Sequence, residues 1–153
     1  MNYINFYNNL IKLTTNKLLY KNLGKQDTFN DRLIIFLFHF AFFLKAFKSA
    51  ENEKTLQNIY DFNFRQLELS IREIGYGDQT INKKMKDYIN TFHAIVSDIH
   101  FWDYLDVKKK KEIFSNFLNN FNNIDELIEY FDKFIENLSK KTLNSYLKSV
   151  INQ

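Results

Sequence analysis

The chain contains no cysteine, no proline and only three glycines, Gly24, Gly75 and Gly77, in 153 residues. Without cysteine there is no disulfide framework, no thiolate nucleophile and no thiolate-based metal site, and a reducing address, cytoplasm or organelle matrix, is favoured. With the two strongest helix breakers almost missing, long helices are expected. Three glycines so placed cannot build a P-loop, a dinucleotide fingerprint or a Gly-rich phosphate cradle, which argues against ATP-driven action. Charge of one sign is scarce too. A formal net charge of +3 and a pI near 8.9 fall short of the concentrated positive charge of a dedicated nucleic-acid binder, so no DNA partner is expected. No apolar run reaches the about 20 residues that a membrane-crossing helix requires. The amino-terminal stretch from Met1 to Tyr20 mixes Asn and Lys into an amphipathic pattern and does not read as a signal or transit peptide.

What is present is apolar material. Hydrophobic residues make up 45% and aromatics 18%, with 17 Phe and 9 Tyr, enough for one sizeable core and too much for a disordered chain. A single all-α domain spanning 1–153, of about six to seven helices, is therefore expected. Apolar residues recur at three-to-four spacing from Tyr3 to Leu23, a first helix that Gly24 would end. Asp27, Thr28 or Asn30 is placed to cap a second helix running to Phe47, whose stretch Leu33–Leu44 is interrupted only by His39. That helix is expected at the centre of the core. A third helix is predicted from Glu53 to Ile74, closed by Gly75, and a fourth begins with Asp78 as its cap and carries Ile81, Met85, Tyr88, Phe92, Ile95 and Ile99 inward. The two form a central α-hairpin around Gly75–Asp78. Further helices are predicted from Asp106 through Phe121, over Ile124–Leu138 and over Thr142–Ile151.

No spacing singles out a catalytic residue or a metal set. Of the three histidines, His93 and His100 lie about 10 Å apart by helical rise, too far to share one metal without further ligands. His39 lies seven residues after Arg32 amid phenylalanines, and a carboxylate such as Asp61 or Glu73 is the expected partner for the arginine. Asp61, Arg65, Glu68 and Arg72 alternate in sign along the third helix, a pattern that fits either a solvated face or a docking surface. Cations gather around the hairpin turn at Arg72, Lys83, Lys84 and Lys86, and a second basic run covers Lys108–Lys111. Clustered Lys and Arg of this kind attract anionic lipid or RNA.

Certain elements here resemble a known family. Ile71-Arg72-Glu73-Ile74-Gly75-Tyr76-Gly77-Asp78, followed by Lys83-Lys84-Met85-Lys86, is similar to the Leu-Arg-Glu-Met-Gly-Val-Gly-Asp signature and basic helix of the ubiquinol-cytochrome c chaperones. Upstream, Leu23-Gly24, Asp27-Thr28, Asp31-Arg32 and Phe38-His39 resemble further elements of that family in the same order. The likeness covers about Tyr3 to Leu105. The chain departs from the family pattern at Gln26, where a proline is frequent, and at His93-Ala94, where a Gly-Arg pair stands. A role resting on that arginine does not carry over. The resemblance implies an all-helical, non-enzymatic escort that binds newly made cytochrome b and promotes assembly of the cytochrome bc complex, respiratory complex III. It further implies contact with the ribosome near its exit tunnel in mitochondrial members, and a position in the cytoplasm, or on the mitochondrial matrix side, peripheral to the inner membrane. No cofactor and no small-molecule substrate are expected. Arg32, His39, Asp61, Arg72, Glu73, Gly75, Gly77, Asp78, Lys83, Lys84 and Lys86 are the candidate partner-binding residues. Two rival readings are a generic helical interaction module and, less favoured, a small enzyme or haem carrier.

Overall fold

The apolar run in the middle of the chain becomes one helix of the computed structural model, and every residue from Leu33 to Phe43 on it is buried. A helix apolar on all faces must be surrounded, and this one is. The structure describes residues 2–16, 19, 29–118 and 123–151. In chain order the helices are α1 (Ile4–Thr14), α2 (Phe29–Phe47), α3 (Glu53–Ile74), α4 (Asp78–Asp98), α5 (Val107–Phe117), α6 (Ile124–Ser139) and α7 (Leu143–Ile151). A single 3₁₀ turn, Trp102–Tyr104, lies between α4 and α5, and no strand occurs among the described residues. The fold is all-α.

α2 is the axis, with α1, α4 and α6 packed against it; α7 then packs on α1, α5 on α6 and α3 on α4. The join is aromatic. Phe38 meets Phe114 and Phe131 at ring-centroid distances of 4.7 and 6.0 Å, Phe42 meets the edge of Trp102 at 5.0 Å, and Phe40 stacks on Phe92 at 5.1 Å. Such pairs add about 0.5–1.5 kcal/mol each beyond the area they bury.

Local chemistry sets the helix ends. α3 closes on Gly75 in the left-handed conformation, φ 102°, whose N–H donates to the Arg72 carbonyl at 3.0 Å. Asp106 caps α5 by accepting from the Lys109 N–H at 2.9 Å. Thr142 and Ser145 cap α7 reciprocally, each side-chain oxygen accepting from the other's backbone N–H at 3.1 and 3.0 Å.

Several boundaries differ from those read off the sequence. α1 stops at Thr14, short of the expected Leu23, because Thr15 and Asn16 turn the chain with N–H bonds to the Ile11 and Leu13 carbonyls. Gly24, Asp27 and Thr28 lie outside the described residues, and Asn30 is already inside α2. The cap of α4 is Gly77 in an extended conformation, its carbonyl accepting from the Ile81 N–H; Asp78 is the first helical residue. α5 ends at Phe117, short of Phe121, because Leu118 goes extended and puts its side chain into the core at 2% exposure.

Candidate functional site

The hairpin that joins α3 to α4 projects from the body. A Cβ added at Gly75 or Gly77 would meet no atom within 4 Å, and the tip leaves Ile74 57% and Tyr76 43% exposed. Arg72 braces the tip, donating to Asp78 at 2.8 Å and approaching Glu68 at 3.6 Å. The Asp78 hydrogen bond, with Glu68 behind it, raises the arginine's pKa further. Lys84 rests over the Tyr76 ring, 4.9 Å from its centroid. Lys83 and Lys86 are exposed and have no ion-pair partner among the described residues, so their charge is presented to solvent. Gly75, Gly77, Asp78, Arg72, Glu73, Lys83 and Lys86 are thus exposed at one tip, with Lys84 half-buried among them.

The other candidate residues lie apart from it. Asp61, exposed on α3, accepts from the Gln57 amide at 3.0 Å. Arg32 lies on the exposed side of α2, beside a small apolar recess with Tyr7, Ile11, Leu67 and Ser70 in its walls. His39 is at 0% exposure. Its Nδ1 donates to the Ile35 carbonyl at 2.8 Å, so Nε2 accepts from the Tyr130 hydroxyl at 2.6 Å. Burial lowers its pKa to about 4, the bond to Ile35 opposing this, and burial pushes the Tyr130 hydroxyl up to about 12. Both groups are neutral. His39 is therefore held by Tyr130 on α6 and is enclosed by Phe131 and Phe134, at 4.8 and 5.1 Å between ring centroids.

The second basic run is tied to the body of the protein. Lys109 pairs with Glu112 at 3.6 Å, Lys110 with Asp132 at 3.2 Å and Lys111 with Asp125 at 3.0 Å, while Lys110 also covers the Trp102 ring at 4.9 Å. Lys110 and Lys111 tie α5 to α6, while the Lys109 pair lies within α5. Of the two basic clusters, the hairpin has the freer charge.

Sequence reasoning missed an open groove of about 890 Å³ where the end of α2, the start of α3 and the second half of α4 converge. Its floor is apolar, Leu44, Leu56, Phe92 and Val96, and Lys45, Lys48, His93 and His100 stand at its edges. The Tyr60 hydroxyl and His93 Nε2 share a hydrogen bond of 2.9 Å that bridges α3 to α4, and burial, with Asp61 adding, raises the pKa of Tyr60. His93 and His100 share a face because seven residues are nearly two turns. That spacing is the signal in the sequence that points to the groove, but only the meeting of three helix ends shows what the face borders. Among the described residues no group of three or more His, Asp or Glu is gathered as a metal site, and no helix is long and apolar enough to cross a membrane.

What the arrangement offers is surface: an exposed basic tip, an apolar groove and a rigid aromatic core. A family model described as ubiquinol-cytochrome C chaperone matches residues 21–101 of the 153, which takes in α2, α3, the hairpin tip and α4. No curated protein and no solved structure matches.

Proposed function

The chain belongs to the ubiquinol-cytochrome C chaperone family, whose role is chaperoning in complex III assembly, and from that membership we propose that it acts by holding newly made cytochrome b. The observation that carries the reading is the family match across the helices that build both surfaces, the hairpin tip and the groove. A membrane subunit awaiting insertion exposes apolar segments, and a holder for it requires an apolar seat and a fixed framework, with no machinery for bond making. The basic tip, Arg72 to Lys86, at the opposite end of α3 and α4 from the groove, meets an anionic partner, the ribosome near its exit tunnel or an anionic membrane, at the inner membrane's cytoplasmic or matrix face.

Deletion of the gene is the test. The cytochrome bc complex and its cytochrome b should fall while other respiratory complexes stay near normal. Unchanged cytochrome b in the deletion strain would refute the proposal.

A further inference from the structure

We draw no further inference here: the strongest candidate, the apolar groove at the end of α2, the start of α3 and the second half of α4, with Phe101, Tyr104 and Val107 exposed beside it, sets Lys45 and Lys48 against Glu53, Asp103 and Asp106, so that its charge selects no partner, and nothing in the structure shows what covers it.

Discussion

His39 shows how one residue's environment decides its role. A histidine among phenylalanines is legible in the sequence, but its partner is not, because Tyr130 lies 91 positions away and reaches it only when α6 packs on α2. The folded-state pKa of about 4 lies below the ordinary value of 6.5, so the unfolded chain binds the proton more readily. His39 therefore supports the fold fully above pH ~6.5, and its contribution drains away as pH falls towards 4. A gap of that size is worth roughly 3 kcal/mol at about 1.36 kcal/mol per pKa unit. His39→Gln, which keeps a donor and does not titrate, should lose less stability than the wild type between pH 7 and 4.5 in parallel denaturant titrations. Parallel losses would place the acid sensitivity on the carboxylates instead. Asn63 is the reverse case: 1% exposed on α3, with neither amide atom hydrogen-bonded among the described residues. Leaving such a group buried costs about 1–3 kcal/mol. Asn63→Leu should raise the melting temperature by a few degrees; a fall would show that the amide has a partner such as a buried water.

At the scale of the elements, the stop of α3 is legible in the sequence and those of α1 and α5 are not. Glu53–Ile74 is predicted and found with the same ends, because Gly75 supplies the left-handed residue that closes it. The following cap was misassigned by one residue. Asp78 has the favoured side chain for a cap, but Arg72 claims its carboxylate, and Gly77 takes the cap position. The two glycines should consequently differ. Gly75→Ala, at φ 102°, should cost about 1–2 kcal/mol in urea unfolding, while Gly77→Ala, at φ −71° with open space around it, should cost well under 1 kcal/mol. Equal losses would show that the tip geometry is not what the φ angles describe. In the lysine cluster beyond it Lys83 and Lys86 are exposed and Lys84 is half-buried over Tyr76, and surface charge of this kind is worth about 0–1 kcal/mol to folding. Lys83→Glu with Lys84→Glu and Lys86→Glu should leave the melting temperature nearly unchanged and weaken association with ribosomes or anionic vesicles. Wild-type association should also weaken as salt rises. Full association by the variant at every salt concentration would make the lysines a solvated face.

For the whole molecule, the all-α class followed from missing proline and scarce glycine, and the axis from the apolar run, interrupted only by His39, that became α2. The groove was not legible, since its floor draws on Leu44, Leu56, Phe92 and Val96 from three helices. Nor was the fate of Lys110 and Lys111 legible, for each finds its acid on α6 only after folding, whereas Lys109 pairs with Glu112 three residues along its own helix. The pattern is of a rigid aromatic body whose free chemistry is displaced to its surface, which suits a holder. On the proposed function the held protein is cytochrome b. The most direct measurement is quantitative recovery of newly synthesised, pulse-labelled cytochrome b on the tagged chain, beside a second membrane subunit of another respiratory complex as control. Cytochrome b should be enriched early and decline through the chase as the bc complex forms, with the control at background. Equal recovery of both subunits, or none of cytochrome b at any time, would contradict it.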